Sequence, residues 1–305
     1  KISKRLHADW KLSSTTGFNC EIEIFLEALP LQECIRQNDC KSFSWKMKKL
    51  ELQLEDELEK NRIKELINGA ILYNRAECLQ SLQIFIQETA IVPIHPILMK
   101  ATVMCKHECM RVLLKNNADI NHISSSGEWL STTPLCACME YLSNHGQRDV
   151  NLGTATRCML DTPDPVFYVL MQYGANPNLS RCEDDTTALM KAAMISWTDI
   201  YVQYLLAAGA NIEAVDVLGN TALHFACFRR GNIASVRALI KKGVDVNKRY
   251  SNNESVFELA CKLNKVACVQ EILTHSKVVD LELVNPTTGM TPLMMACLCD
   301  DNDHS

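Results

Sequence analysis

"TALHFAC" at residues 221–227 is the stretch that decides the fold, because its layout returns at regular intervals along the chain. Thr187, Thr221 and Ser255 open three copies that are 34 residues apart, and Thr291 opens a fourth copy 36 residues later. The other copies read "TALMKAA" at 187–193, "SVFELAC" at 255–261 and "TPLMMAC" at 291–297, with related openings "TPLCACM" at 133–139 and "HPILMKA" at 95–101. A period of this length predicts a stack of repeated supersecondary units.

Each opening leads into an apolar helical segment and then a closing phrase. The closing phrases are "VLLKNNADIN" at 112–121, "YVLMQYGANPN" at 168–178, "YLLAAGANIE" at 204–213 and "ALIKKGVDVN" at 238–247. With these phrases the unit resembles the ankyrin repeat, a β-turn followed by two antiparallel helices over about 33 residues. The resemblance covers residues 92–299 and is most specific over 184–250. It implies an all-α solenoid of stacked helix-turn-helix units joined by β-turns.

Elementary physical chemistry explains the recurring residue types. The hydroxyl that opens a copy can accept a hydrogen bond from an early backbone N–H of the first helix, which predicts N-caps at Thr187, Thr221, Ser255 and Thr291. Proline suits the first helical position, where its missing N–H costs nothing, and we expect it there at Pro134 and Pro292. The second helix should end at a left-handed residue, and the candidates are Gly174, Gly209, Gly243 and Asn117.

His224 and Cys227 raise the possibility of a nucleophile and its base, since a histidine can activate a nearby thiol. The repeat favours an architectural interpretation, because no separate orienting group is evident and the cysteine slot recurs. Cysteine follows the small helix-packing alanine in three copies, as a small apolar residue can; the pairs are Ala226-Cys227, Ala260-Cys261 and Ala296-Cys297, and Ala192-Ala193 in a fourth copy. The resemblance implies that His224 is a structural hydrogen-bonding residue that links repeats.

Composition limits the class of protein. The 305 residues are 47% hydrophobic and 22% charged, which predicts a folded, soluble chain with a sizeable core. A net charge of −5 and a pI of about 5.9 argue against a nucleic-acid partner. No window of 18 apolar residues predicts a membrane span. The 15 cysteines are odd in number and form no CxxC motif, which favours a reducing compartment, cytoplasmic or nuclear.

Signals for catalysis or metal binding are weak. "CKHEC" at 105–109 offers two thiols and His107, but zinc usually takes four ligands at recognisable spacings, so we favour a loop between two helices. Phosphate-binding loops, HExxH and nucleophile elbows do not occur in the sequence. We therefore predict a non-catalytic chain with no catalytic residues, no metal site and no cofactor.

The N-terminal region shows no repeat. Residues 45–66 place Met47, Leu50, Leu54 and Leu58 on one helical stripe amid charges, which predicts an amphipathic helix. Such a helix either forms a coiled coil with a partner or docks on its own solenoid; the stripe is shorter than a coiled coil needs, which favours docking. We assign residues 1–65 to an N-terminal region and 66–91 to a degenerate capping repeat.

The repeat that begins at Thr133 is too long, because 54 residues separate it from Thr187. The excess predicts a polar loop at 143–163 between its two helices, and the sequence does not decide whether that insertion is functional. At the other end, residues 291–297 supply a first helix without a second, followed by a short segment at 300–305. We expect this end to be covered by further chain or by another protein.

An ankyrin-like solenoid predicts a protein-protein interaction scaffold or adaptor that binds a protein or peptide on its concave surface. The alternatives are a substrate-recognition subunit of a ubiquitin ligase, or the ankyrin regulatory portion of a larger enzyme or channel. The resemblance places partner contacts on the turns and after the paired small residues. The candidates are Met194, Ile195, Trp197, Val215, Val217, Leu218, Asn220, Phe228, Arg229, Arg249 and Tyr250.

Overall fold

Pairs of antiparallel helices recur along the chain from residue 31 onward. The computed structural model describes residues 30–49, 57–89, 94–124, 131–145, 163–181, 183–195, 198–228, 232–249, 253–276 and 279–298. Within these ranges the secondary structure is helical, apart from an isolated antiparallel bridge between Ser180 and Thr187. The all-α prediction is therefore confirmed.

The helices form two rows. The first helices of the pairs are α1 (Leu31–Gln37), α3 (Glu57–Leu72), α5 (Ile94–Val103), α7 (Pro134–His145), α9 (Ala188–Ala193), α11 (Ala222–Phe228), α13 (Val256–Lys262) and α15 (Pro292–Cys297). The second helices are α2 (Cys40–Lys49), α4 (Ala76–Thr89), α6 (His107–Lys115), α8 (Pro165–Gln172), α10 (Ile200–Ala207), α12 (Ile233–Lys241) and α14 (Val266–His275).

Each row stacks on itself. In the first row, each helix contacts the next one in the series α7, α9, α11, α13 and α15. In the second row, α12 packs against α14. Their facing side chains form one buried cluster that runs from Cys34 to Ile272. This is the architecture of a solenoid, in which each unit buries its apolar face against its neighbours.

Three of the four predicted N-caps, at Thr187, Ser255 and Thr291, form the expected hydrogen bonds, and the Thr221 hydroxyl lies 2.9 Å from Nδ1 of His224. The Thr187 and Thr291 hydroxyls accept from the backbone N–H of Met190 and Met294, each at 3.4 Å, and the Ser255 hydroxyl accepts from that of Glu258 at 3.2 Å. Helices α7 and α15 begin at the prolines, as predicted. A side-chain oxygen at this position satisfies a donor that has no partner within the helix.

The predicted ends of the second helices are also confirmed. Gly174, Gly209 and Gly243 have φ of 80°, 83° and 90°, and Asn117 has φ of 62°. A Cβ built on any of these glycines would meet no atom within 4 Å, so the backbone angle, and not space, selects glycine there.

The paired small residues pack as predicted in the central repeats. Ala192, Ala226 and Ala260 are buried, and so are Cys227 and Cys261 in the following slot. Cys297 of the last described helix is exposed.

The N-terminal region continues the stack. Residues 45–49 lie in α2 and residues 57–66 lie in α3, both helical as predicted, while residues 50–56, with Leu50 and Leu54 of the predicted stripe, lie outside the described residues. Met47 is buried in the common core. Helix α3 crosses the predicted boundary between residues 65 and 66, and α1 packs on α3 as α2 packs on α4. Two helix pairs of the described part of the chain therefore precede the predicted repeats.

Helix α7 ends at His145 and α8 begins after its N-cap Asp164, whose carboxylate accepts from Val166 N–H at 2.7 Å. The insertion predicted at 143–163 falls largely on residues 146–162, which lie outside the described residues, as do 300–305.

Side chains of the closing loops link successive repeats. In three of these links, the side-chain oxygen of an asparagine accepts from a backbone N–H one repeat further on, at 2.7–2.9 Å. The pairs are Asn121 with Asn176, Asn178 with Asn211, and Asn247 with Asp280. Glu213 stands where the pattern has asparagine, and its carboxylate pairs with Lys248 at 2.7 Å. Three of these four links between repeats are therefore hydrogen bonds from a backbone N–H to a side-chain amide oxygen, and the fourth is an ion pair.

Candidate protein-binding surface

The turn at residues 215–220 is held by one carboxylate. Asp216 is buried and accepts from the backbone N–H groups of Leu218 and Asn220, at 3.0 and 2.7 Å, and from the Asn220 side-chain amide at 3.0 Å. Gly219 has φ of 79°, which glycine adopts without strain. The Val217 N–H donates to the Asp184 carbonyl of the preceding repeat at 3.1 Å. These bonds fix the turn on the solenoid.

This fixed turn presents apolar side chains to solvent. Val217 and Leu218 at its tip are 60% and 69% exposed, and Val215 is exposed as well. Phe228, the last residue of α11, is half exposed. Large apolar side chains gathered on a rigid element are typical of a surface that another protein covers.

Other predicted contact residues have structural positions. Ile195 is fully buried, and its carbonyl accepts from the buried side chain of Asn232, so its side chain is unavailable to a partner. Met194 is half-buried, and Asn220 is engaged by Asp216. Trp197, Arg229 and Tyr250 lie outside the described residues.

Arg249 is part of a polar network within the solenoid. Its guanidinium donates to both carboxylate oxygens of the fully buried Glu258, at 2.7 and 3.0 Å. It also donates to the carbonyls of Asn253 at 2.7 Å and Val284 at 3.0 Å. The turn position of Arg249 predicts a contact with a partner. The geometry instead shows that the Arg249 side chain links its own turn to α13 and to the next turn.

His224 occupies the same helix position as Met190 and Glu258. In each case the side chain accepts a hydrogen bond from the backbone N–H three residues earlier. Nδ1 of His224 accepts from Thr221 at 3.1 Å, and Sδ of Met190 accepts from Thr187 at 3.4 Å. The Glu258 carboxylate accepts from Ser255 at 2.9 Å. A reciprocal bond of this type closes a capping box. Three chemically different side chains thus perform one structural task, which the sequence pattern did not reveal.

The electrostatics of His224 and Cys227 are those of buried neutral groups. Burial lowers the pKa of the His224 imidazole to about 4. A hydrogen bond with Cys268 and burial hold the pKa of the Cys227 thiol well above its usual range. An imidazole with so low a pKa is a poor base for a thiol that resists ionisation. The architectural interpretation of this pair agrees with the geometry.

The residues of "CKHEC" are spread over a helix junction. Cys105 lies in the turn before α6 with φ of 55°, His107 Nε2 lies 3.2 Å from the Glu108 carboxylate, and Cys109 is buried with its thiol 3.7 Å from the Ala70 carbonyl. Among the residues that the structure describes, no three side chains of metal-binding type are grouped for an ion. In the same residues no helix combines the length and apolar character that crossing a membrane requires.

A stack of helix pairs with a projecting turn surface defines a helical-repeat interaction module. The family profile described as ankyrin repeats, in three copies, matches residues 155–250. The ankyrin repeat domain of Bcl-3, a member of the IκB protein family, has a similar fold, with a TM-score of 0.57 and 18% identity over 80% of this chain and 98% of that one. The chain therefore contains ankyrin repeats, and its described helix pairs share the fold of an ankyrin repeat domain.

Curated relatives match over shorter stretches. The putative ankyrin repeat protein L271 of Acanthamoeba polyphaga mimivirus is 29% identical over 135 residues, which are 40% of this chain and 18% of that protein. The SMC5-SMC6 complex localization factor protein 1 of Bos taurus and that of Homo sapiens are each 32% identical over 83 residues, 27% of this chain and 8% of those proteins. The matched part is less than a fifth of the length of these relatives.

Proposed function

We propose that the chain is a non-catalytic scaffold or adaptor that binds a protein or peptide partner on the surface formed by the turn at 215–220 and the end of α11. The observation that carries this proposal is the exposure of Val217 and Leu218 on a turn that Asp216 holds rigid. A surface ordered before binding loses little conformational entropy when a partner docks.

Phe228 extends the proposed surface beyond the turn. Trp197, Arg229 and Tyr250 remain proposed members of it, because aromatic residues and arginine are enriched at binding hot spots. Val215 and Met194 belong to its edge. Ile195 and Arg249 are left out because the core and Glu258 engage them.

The chemistry of this surface favours a protein partner over a nucleic acid. Its described tip is apolar, and the chain as a whole carries a net charge of −5, whereas nucleic-acid binding rests on concentrated Lys and Arg. The described cysteines are all free, which supports a reducing site of action, cytoplasmic or nuclear.

Two narrower roles extend the adaptor proposal. One relative is named a localization factor for a protein complex, and it is far longer than the region it shares with this chain. That supports an ankyrin portion within a larger assembly. A role as the substrate-recognition subunit of a ubiquitin ligase rests on the general use of ankyrin proteins as adaptors, and the partners recovered in a purification would separate the two.

Affinity purification of the tagged chain with mass spectrometry tests the proposal. We expect partners whose recovery falls with Val217→Ala and Leu218→Ala. The chain offers matched controls on α14, because Val266 is 58% exposed and Leu273 is 47% exposed. Val266→Ala and Leu273→Ala should retain the partners. If both sets of variants recover equal amounts of the partners, the binding site lies outside the turn at 215–220.

A further inference from the structure

Two cysteine thiols meet between the first two helix pairs. Cys40 is the first residue of α2 and Cys78 lies in α4, and their sulfur atoms are 3.2 Å apart. The Cys78 S–H donates to the Cys40 sulfur, and the Cys40 S–H in turn points to Oδ1 of Asn38 at 3.7 Å. A disulfide bond is about 2 Å long, so the sulfurs need to approach by only about 1 Å to bond.

The two thiols differ in access. Cys78 is fully buried, whereas Cys40 is half-buried and lines a surface cleft with Trp45 and Glu77. Burial raises the pKa of both thiols, but the hydrogen bond from Cys78 favours the Cys40 thiolate and disfavours the Cys78 thiolate. Cys40 is therefore the thiol that ionises first and that a small solute can reach.

We propose that Cys40 and Cys78 form a reversible disulfide when the protein meets a peroxide. The Cys40 thiolate attacks the peroxide, so that an S–O bond forms, the O–O bond breaks and hydroxide leaves. The Cys78 sulfur then attacks the Cys40 sulfur, so that the S–S bond forms, the S–O bond breaks and a second hydroxide leaves. The two thiol protons end on these hydroxides, two thiols are oxidised, and hydrogen peroxide is reduced to two waters.

The bond would join α2 to α4, the second helices of two neighbouring repeats, across 38 residues of chain. Repeats in a solenoid can open separately, because each contacts mainly its neighbours. Oxidation would therefore make the first two helix pairs open as one unit. Cys227 and Cys268 also interact, but both are fully buried, so a peroxide does not reach them while the solenoid is folded.

Oxidation of the folded full chain with hydrogen peroxide tests this proposal. After the remaining thiols are alkylated, we expect a peptide pair linked through Cys40 and Cys78 that dithiothreitol separates. Its formation should accelerate as the pH rises toward the raised pKa of Cys40. The oxidised chain should also melt at a higher temperature than the reduced chain.

Cys40→Ser is the matched variant, because its side chain is similar in size and its site is half-buried. It should lose both the linked peptide and the difference in melting temperature between oxidising and reducing conditions. Cys78→Ser tests the buried partner and should leave Cys40 as a sulfenic acid that dimedone traps. A wild-type product that links Cys78 to Cys34, or that holds Cys40 as sulfinic acid beside a reduced Cys78, would overturn the proposal.

Discussion

Arg249 and Glu258 form a bidentate ion pair at a junction between repeats. The guanidinium lies 2.7 and 3.0 Å from the two carboxylate oxygens, and the Glu258 side chain is fully buried while that of Arg249 is 20% exposed. A buried carboxylate needs such a partner, because ionised groups lose their hydration in the interior. The same carboxylate also caps the first turn of α13 through the Ser255 N–H.

We predict that Arg249→Ala destabilises the protein by about 3–5 kcal/mol, because it leaves the Glu258 charge buried without its partner. Urea denaturation of the wild type and the variant measures this loss. The double variant Arg249→Ala with Glu258→Gln keeps the capping interaction without the charge and should regain part of the stability. Full stability of Arg249→Ala together with weaker partner binding would assign Arg249 to the interaction surface.

The low pKa of His224 predicts loss of stability in acid. The imidazole is neutral when folded, with a pKa of about 4, while in the unfolded chain it takes up a proton below about 6.5. Its contribution is therefore present above about pH 6.5 and is lost as the pH falls to about 4, by about 3 kcal/mol in all. Stability curves between these pH values measure it.

His224→Met supplies the control, since methionine already fills the equivalent position at Met190. The variant should fold and should lack this step in the pH dependence. The pKa values of the Asp184 and Glu271 carboxyls are lowered, so their contributions begin to be lost below about pH 4.5, at the acid end of the His224 step. An unchanged step in His224→Met would assign the acid sensitivity to another group. His224→Ala should lower stability at neutral pH and affect no covalent reaction.

Burial of the thiols predicts their chemical protection. Cys227 and Cys261 should resist alkylation in the folded protein, whereas exposed Cys297 should react quickly. Mass spectrometry after a timed reaction with iodoacetamide distinguishes the sites, and denaturant should make all three react. Labelling of Cys227 and Cys261 at the rate of Cys297 would contradict their placement in the core.

The half-exposed Phe228 predicts a separation of affinity from stability. Phe228→Ala should weaken partner binding by about 1–3 kcal/mol, the usual range for hot-spot residues, and should leave the melting temperature almost unchanged. Trp197→Ala and Arg229→Ala should behave in the same way. Affinity titration beside thermal unfolding compares the two quantities. A loss of affinity fully explained by unfolding would place binding on another part of the chain.

The features that the sequence predicts correctly are those that depend on one residue type at one backbone position. The hydroxyls at helix starts and the left-handed ends at Gly174, Gly209 and Gly243 are of this kind, because local geometry alone selects them. The helix pairs between residues 31 and 89 lack the threonine-led opening, and packing on the next pair is what defines them. Because these helix pairs lack the threonine-led opening, the sequence predicts a domain boundary between residues 65 and 66, which lies inside α3.

The exposure of the proposed contact residues was predictable in part for a related reason. A turn position shows that a side chain lies near the surface, but it does not show what the side chain contacts. Val217 and Leu218 point to solvent from the turn at 215–220, whereas Arg249 reaches Glu258 nine residues later and Val284 in the following turn. Whether such a side chain points to solvent or reaches a neighbouring repeat depends on how the repeats are spaced in three dimensions. Residue spacing along the chain does not give that distance.

The link between Glu213 and Lys248 is an exposed ion pair, which makes this junction between repeats sensitive to salt. The neighbouring joints, built from Asn121, Asn178 and Asn247, use uncharged amides whose strength depends little on dissolved ions. Exposed ion pairs weaken as added salt shortens the screening length, which is about 8 Å at physiological ionic strength. We therefore expect added salt to weaken this link more than its neighbours, so that the position of the turn at 215–220 relative to the next repeat depends on ionic strength.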